Sequence, residues 1–303
     1  MAEFVLTLIA APAASGQLEA ATDAAALALR ERGARVGRPD VLAPAVACDL
    51  PFDLLAPREA AAAARGAVGG LPIDCLAQRA AGRRKRLLVA DLEATIIANE
   101  MLEEIASFVG LRAPVERITW RAMNGEIDFA AALRQRVALL KGMKASVLDE
   151  AGARIRITPG ARALVATMRA NGARCALVTG GFGIYARRVR DQLGFDYEIA
   201  NEIEIEDGRL TGAVKEPIRG GDEKLATLLR LAGEQGIALG DTLAVGDGAN
   251  DLAMIDAAGL GVAYRGKPSV AALASARVDH TDLAALLYAQ GYRREEIVGR
   301  DQL

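Results

Sequence analysis

The run Arg86-Leu-Leu-Val-Ala-Asp91-Leu-Glu93-Ala-Thr95 decides how the rest of the chain is read. Four apolar residues in a row, ending in an acid, describe a strand buried on both faces in a parallel sheet, with its C-terminal end turned toward a site. The same pattern returns at Arg174-Cys-Ala-Leu-Val-Thr179, at Thr242-Leu-Ala-Val-Gly-Asp247 and at Gly259-Leu-Gly-Val-Ala-Tyr264. Helical periodicity separates these runs, at Ala161–Ala170 and Asp222–Gly233, so strand and helix alternate as in a doubly wound α/β domain.

About 80 residues lie between the first two strands, far more than a crossover needs. A helix over Pro114–Met123 stops at the turn Asn124-Gly125. Asp128 is placed to cap a second helix with Leu133, Val137 and Leu140 on one face. The stretch from about 98 to 157 is therefore expected to be a helical cap over the strand ends. Toward the N-terminus, Phe4–Ala10 reads as a strand and Leu18–Arg32 as a helix. Arg35–Asp53 reads as two short extended segments broken by Pro39, Pro44 and Pro51. Pro57–Val68 reads as a helix and Leu71–Leu76 as a last strand. The order β-α-β-β-α-β predicts a small ferredoxin-like domain over 1–80. The charged segment Arg79–Arg86 joins it to a catalytic domain over 85–295.

Composition narrows the function. The 303 residues are 52% hydrophobic, and 37 basic side chains against 39 acidic ones leave a net charge of −2. Nothing in that balance suggests a polyanion-binding surface, so nucleic acid is not an expected partner. The three cysteines, Cys48, Cys75 and Cys175, form no Cys-x-x-Cys pair, and there is one histidine, His280. Neither a zinc site nor a disulfide framework is indicated, and reduced thiols in the cytoplasm are expected. The apolar start Met1–Ser15 lacks a basic leader and carries Glu3, which argues against a secretory signal. No uncharged apolar run reaches the ~18 residues a membrane helix needs.

Three strand ends carry polar groups: Asp91-Leu-Glu-Ala-Thr95, Thr179-Gly-Gly-Phe182 and Gly246-Asp-Gly-Ala-Asn-Asp251, with Lys224 near the start of an intervening helix. A phosphomonoester dianion attacked by a carboxylate needs its repulsion offset. A divalent cation on Asp91 and Asp247, the Lys224 ammonium, and backbone N–H groups after Thr179 would do this. A second carboxyl such as Glu93 can protonate the leaving alkoxide and then activate water. Each group alone has a plainer reading as a cap, a turn or a solvated charge; two carboxylates flanking glycine and asparagine directly after a buried strand do not. Gly181-Phe-Gly183-Ile-Tyr-Ala186 also fits a dinucleotide fingerprint, with Glu202 about 20 residues on. That reading leaves Asp91, Lys224 and the 247–251 cluster without a purpose.

Together, Asp91-x-Glu93-x-Thr95, Thr179-Gly-Gly, Lys224 and Gly-Asp247-Gly-Ala-Asn250-Asp251 resemble the four motifs of the haloacid dehalogenase superfamily. Arg121-Ala-Met-Asn-Gly-Glu-Ile-Asp-Phe129 and Leu133-Arg-Gln-Arg136-Val-Ala-Leu-Leu140 are similar to the substrate-binding cap of its phosphoserine phosphatase family, and Gly181-Phe182 and Asp256–Tyr264 extend the likeness over about 85–290. The resemblance implies a Rossmann-like catalytic domain with a helical cap, preceded by an ACT-like domain. It implies Mg²⁺-dependent hydrolysis of O-phospho-L-serine, a small phosphomonoester, at the last step of serine biosynthesis. A homodimer is compatible with it. By the same likeness, Asp91 would be nucleophile and metal ligand, and Glu93 acid and base, its backbone carbonyl also facing the metal. Asp247 would be a direct ligand, with Asp251 supporting the shell. Thr179, Gly180 and Lys224 would hold the phosphoryl group, with Asn250 nearby. Glu100 would meet the substrate ammonium, Arg136 its carboxylate, and Met123 and Phe129 would close the pocket. The first motif departs from the family's usual Asp-x-Asp-Ser-Thr. Glu93 is a methylene longer, ~1.5 Å of added reach, and Thr179 replaces a serine. The alternatives are a phosphatase or phosphotransferase for another small ester, and a catalytically impaired amino-acid sensor.

Overall fold

The computed structural model of the protein describes residues 2–123 and 126–299; the expected Asn124-Gly125 turn lies outside them. Two sheets organise the chain. The first contains β1 (Phe4–Ala10), β2 (Arg35–Val36), β3 (Asp40–Ala43), β4 (Ala47–Asp53) and β5 (Ile73–Arg79). Its order is β2-β4-β1-β5, with β3 also on β4, and its pairings are antiparallel. Helices α1 (Leu18–Glu31) and α2 (Pro57–Ala67) cover one face and share a core with Leu6, Leu8, Leu50 and Phe52.

Arg35–Asp53 forms three strands, not the two expected. The stretch around Pro39 separates β2 from β3, and the turn at Pro44-Ala45, where Ala45 has φ +60°, returns β3 onto β4. Pro51 does not break β4. Its carbonyl accepts from the Gly37 N–H at 2.8 Å, so its missing N–H falls on that same edge side, where a ladder donor is dispensable.

The second sheet is parallel throughout and runs β13-β12-β11-β6-β7-β8. Its strands are β6 (Leu87–Asp91), β7 (Arg174–Phe182), β8 (Tyr197–Asn201), β11 (Thr242–Gly246), β12 (Leu260–Tyr264) and β13 (Ala276–Val278). Alternation explains the two helical layers. Leu87, Val89, Ala176, Val178 and Ala244 pack with α9 (Gly221–Glu234) and α10 (Leu252–Ala257). Leu88, Ala90, Cys175, Leu177 and Val245 face the other way, in one core with α7 (Ala161–Ala170), α8 (Gly183–Leu193) and α12 (Ala285–Ala289). Helix α11 (Pro268–Leu273) links β12 to β13. The chain proceeds from β6 to β7 on one side and resumes at β11 on the other. The switch point therefore lies between β6 and β11, where open α/β sheets leave a crevice beyond their strand ends.

The connection from β6 to α7 carries α3 (Met101–Ser107), α4 (Arg112–Met123), α5 (Phe129–Ala138) and α6 (Ser146–Gly152). Asp128 caps α5 as predicted, accepting from the Ala131 N–H at 2.7 Å. Leu133, Val137 and Leu140 are buried. The two strands of chain entering and leaving this cap are tied together: Ala98 N donates to Arg156 O, Thr158 N to Ile96 O, and Asn99 bonds Arg156 N, Arg154 O and Glu104. A hairpin of β9 (Ile203–Glu206) and β10 (Arg209–Val214) also bonds the cap, through Gly142 N to Leu210 O and Ala145 N to Gly208 O. This hairpin was not anticipated, although its signal is present. Asp207-Gly208, both at positive φ, is a two-residue hairpin turn between Ile203, Ile205 and Leu210.

Candidate active site

The β6 strand delivers Asp91 to the switch point, and the loop after β11 delivers Asp247 and Asp251 beside it. Carboxylate oxygens from these three side chains lie within 4.8 Å of one another. Lys224, in the first turn of α9, reaches up from below: its Nζ is 2.7 Å from Asp91 Oδ1 and 2.6 Å from Asp251 Oδ1. Asp91, Lys224 and Asp251 are all buried, with exposures of 5, 1 and 0%. Burial disfavours the ammonium, but the two carboxylates outweigh it and hold Lys224 above its usual range. Burial likewise raises the Asp91 carboxyl, against the pull of Lys224; Asp251 and Asp247 add to the rise. Asp251 is fixed a second time by the Gly248 N–H, 2.9 Å from Oδ2.

Glu93 lies part-buried above this cluster. Its Oε1 accepts the Met101 N–H at 2.8 Å, the first residue of α3, so this carboxylate is tied to the cap's first helix. Oε2 lies against Gly181, where a Cβ would sit 2.7 Å away; glycine is what lets the carboxyl approach. Burial lifts the Glu93 carboxyl to about 7. Its bond from Met101, Arg136 and Lys224 oppose the rise, and Asp91 adds to it.

At the end of β7, Thr179 is buried and its Oγ1 accepts from the Gly181 N–H at 2.9 Å. The β7 strand runs three residues beyond the expected Thr179, to Phe182, and α8 begins directly at Gly183. Phe129 lies over Gly180, where a Cβ would meet its ring at 2.6 Å, and its ring also borders Gly220. Asn250 is exposed beside Gly221, near the start of the Lys224 helix.

From the cap, Arg136 faces this cluster. It bonds Ala132 O and Thr119 Oγ1, both at 3.3 Å, and has no carboxylate partner among the described residues. Burial lowers its pKa, against Glu93, Glu100 and Glu103. Glu100, just before α3, is accessible to solvent, with no side-chain hydrogen bond among the described residues. The packing around it, Glu93 and Asp247 raise its carboxyl, while Lys267 lowers it. The Met123 side chain lies outside the described residues.

Two groups here escaped the sequence reading. Lys267 comes within 3.8 Å of Asp247 Oδ2. It follows the Gly259–Tyr264 strand by three residues, a position the strand-end rule covers. Asn201 is buried at the end of β8; its Nδ2 donates to Gly180 O and Arg219 O, and its Oδ1 accepts from Arg219 N. It ties the Thr179–Gly181 loop to the segment leading into Lys224. The mixed run Tyr-Glu-Ile-Ala-Asn gave its strand no clear pattern.

Five carboxylates, Asp91, Glu93, Glu100, Asp247 and Asp251, therefore gather with three cations, Lys224, Arg136 and Lys267. Negative charge is in excess where Asp91, Asp247 and Asp251 meet, and hard carboxylate oxygens are the donors a divalent cation prefers. The three clustered aspartates fit such an ion.

Residues 88–256 match the model of the haloacid dehalogenase-like hydrolase family, and the chain belongs to that family. Among its relatives is a phosphoserine phosphatase of Streptomyces coelicolor, 42% identical over 247 residues, which cover 82% of this chain and 60% of that protein. The chain spans between about half and three-fifths of the length of the first curated relatives it matches. Among solved structures, a HAD family hydrolase from Salmonella enterica serovar Typhi superposes with a TM-score of 0.82 at 27% identity, covering 95% of this chain and 98% of that one. A phosphoserine phosphatase captured as an analogue of its phospho-aspartyl intermediate superposes at 0.63 with 37% identity, covering 68% of this chain and 98% of that one.

Proposed function

We propose that this protein hydrolyses O-phospho-L-serine to L-serine and phosphate, with Mg²⁺, through a phospho-aspartyl intermediate on Asp91. The observation that carries this reading is that two unlike sets of charges stand near each other, linked through Glu93 and Asp247. Below is the buried Asp91–Lys224–Asp251 cluster; above are Arg136 and Glu100, opposite charges without ionic partners of their own among the described residues, suited to an amino acid's carboxylate and ammonium.

Mg²⁺ would be held by Asp91, Asp247 and the Glu93 backbone carbonyl, with Asp251 in support, and would neutralise charge on the phosphoryl oxygens. Lys224, Thr179 and the Gly180 backbone hold that group in line with Asp91, with Asn250 at the rim. An Asp91 oxygen attacks phosphorus and the bond from phosphorus to the serine oxygen breaks; the Glu93 carboxyl gives its proton to the departing alkoxide. Water then attacks phosphorus, Glu93 takes its proton, and the acyl-phosphate bond breaks to free phosphate and Asp91. A Glu93 carboxyl lifted toward neutrality suits both halves of this exchange. Phe129 closes the pocket over Gly180, with Met123 assigned to the same wall.

We assign residues 1–80 to an ACT-like domain and 85–295 to the catalytic domain, with the cap at about 98–157. The separate core beneath α1 and α2 supports that division. The three cysteines are free and buried, which suits a reducing cytoplasm. No described helix is long and apolar enough to cross a membrane.

The test is phosphate release from a panel of small phosphomonoesters, with Mg²⁺ and with a chelator. Phosphoserine is expected to be the preferred substrate, and activity is expected to vanish with the chelator. Hydrolysis of another small ester with no release from phosphoserine would overturn the substrate assignment.

A further inference from the structure

Hydrogen bonds, joined by short stretches of chain, lead from the first sheet to the candidate metal ligand Asp247. It begins at Asp74 on β5, which is 3% exposed. Its Oδ1 accepts from the Asp279 and His280 N–H groups at 2.8 and 3.2 Å. Its Oδ2 accepts from the Thr281 N–H at 2.9 Å and the Thr281 hydroxyl at 2.6 Å. Asp74, Asp279 and His280 lie close enough together to suggest a cation site. However, the Asp74 oxygens are already occupied by these donors, and the carboxylate acts as a clamp on the 279–281 loop.

That loop holds the next link. Arg265 donates its N–H to Val278 O at 2.8 Å and its guanidinium to Thr281 O at 3.3 Å. Arg265 has φ +45°, a left-handed conformation that costs a non-glycine residue on the order of 1 kcal/mol or more and persists only where its surroundings enforce it. The loop pinned by Asp74 supplies that enforcement. Two residues on, Lys267 donates its N–H to Asp247 O at 3.1 Å and places its ammonium 3.8 Å from Asp247 Oδ2.

We propose that Asp74 of the first sheet is a positioning residue for the active site: through the 279–281 loop and the Arg265-Gly266-Lys267 turn it seats Lys267 against Asp247, and so sets how tightly that carboxylate holds a divalent cation. This inference rests on the reading of Asp247 as a metal ligand. An ammonium at this distance competes with a cation for the same oxygen. Because Lys267 is about half exposed, its effect is screened to a modest size.

The test is calorimetric titration of the full chain with Mg²⁺ alone, without substrate. Lys267→Ala is expected to tighten Mg²⁺ binding about three- to tenfold. Asp74→Asn, which puts an amide N–H₂ where one carboxylate oxygen faces only donors, is expected to tighten it in the same direction. Thr281→Val, which removes one bond of the clamp and spares the rest, should do so to a smaller degree. The double variant Asp74→Asn/Lys267→Ala should match Lys267→Ala alone, because both changes act through one contact. Asp40→Asn breaks a different contact of the first sheet, its pair with Arg293, and should leave Mg²⁺ affinity unchanged. Additive effects in the double variant would overturn the proposal, as would an Asp74→Asn or Thr281→Val protein of parental affinity, or an equal shift from Asp40→Asn. If the parent binds no Mg²⁺, or Asp247→Asn binds it as well as the parent, the metal-site reading itself falls, and the inference falls with it.

Discussion

At the strand ends, Lys224 lies 2.7 Å from Asp91 and 2.6 Å from Asp251, and all three side chains are buried. On the cap side, Arg136 hydrogen-bonds a carbonyl and a threonine hydroxyl, and among the described residues the Glu100 carboxylate has no side-chain hydrogen bond. Burying Asp91, Lys224 and Asp251 without one another would cost several kcal/mol, whereas Glu100 is exposed and Arg136 half-buried. The lower half meets that cost within the protein and is preorganised before any substrate arrives, as electrostatic catalysis requires. The upper half leaves its charges for a ligand to satisfy. The difference suits the proposed division of labour, in which the sheet would carry the chemistry and the cap the selectivity. Glu93 belongs to both, since it projects from the sheet side yet bonds the first residue of α3.

The largest effect is expected on the sheet side. Asp91→Asn removes the proposed nucleophile and should lower kcat at least about 10³-fold for every substrate, read in a phosphate-release assay. An equal loss confined to phosphoserine would place Asp91 among the selectivity groups and break the comparison.

This half was also the more legible in the sequence. Apolar runs ending in Asp91, Thr179 and Asp247 mark parallel strands because both faces of such strands are buried, and the 3.6-residue spacing of Leu133 and Val137 marked the cap helix. The roles of Glu100 and Arg136 came only from resemblance, because a single charge on a helix gives no sign of what lies opposite. Lys267 and Asn201 stayed hidden for a related reason: their partners are Asp247 and the Gly180 and Arg219 backbone, distant in sequence and joined only by the order of the strands. Pro51 misled because a proline on the edge side of a strand reads, from sequence alone, like one that breaks it.

Glu93→Gln tests the residue shared by both halves. The amide can still accept from Met101 N–H but cannot give up a proton, so kcat should fall about 10²-fold or more with the fold intact. Glu93→Asp keeps the carboxyl and withdraws it by a methylene. It should retain turnover within about tenfold while weakening the tie to α3. Parental turnover in Glu93→Gln would remove this side chain from the proton transfers.

On the cap side, Arg136→Ala should raise KM for phosphoserine by about 10- to 100-fold, the worth of a charge-assisted pair. It should leave the turnover of a phosphomonoester lacking a carboxylate nearly unchanged. A fall in kcat shared by both substrates would erase the division between the halves.

The smallest effect on chemistry is expected from Asn201→Ala. It strands the Gly180 and Arg219 carbonyls in the interior, so stability should drop by about 1–3 kcal/mol in denaturant unfolding. The kcat value should change only a few-fold, because the groups that touch substrate remain. A loss as large as that of Glu93→Gln would move Asn201 from support of the site into the reaction.

The central claim is that the phosphoryl group passes through Asp91. Its most direct measurement is acid quench of the enzyme during turnover of phosphoserine, borohydride reduction, and peptide mass analysis. An acyl phosphate on Asp91 should be reduced to homoserine at position 91, in a Mg²⁺-dependent way, and not in Asp91→Asn. Phosphate release at full rate with an unmodified aspartate at 91 would contradict the account.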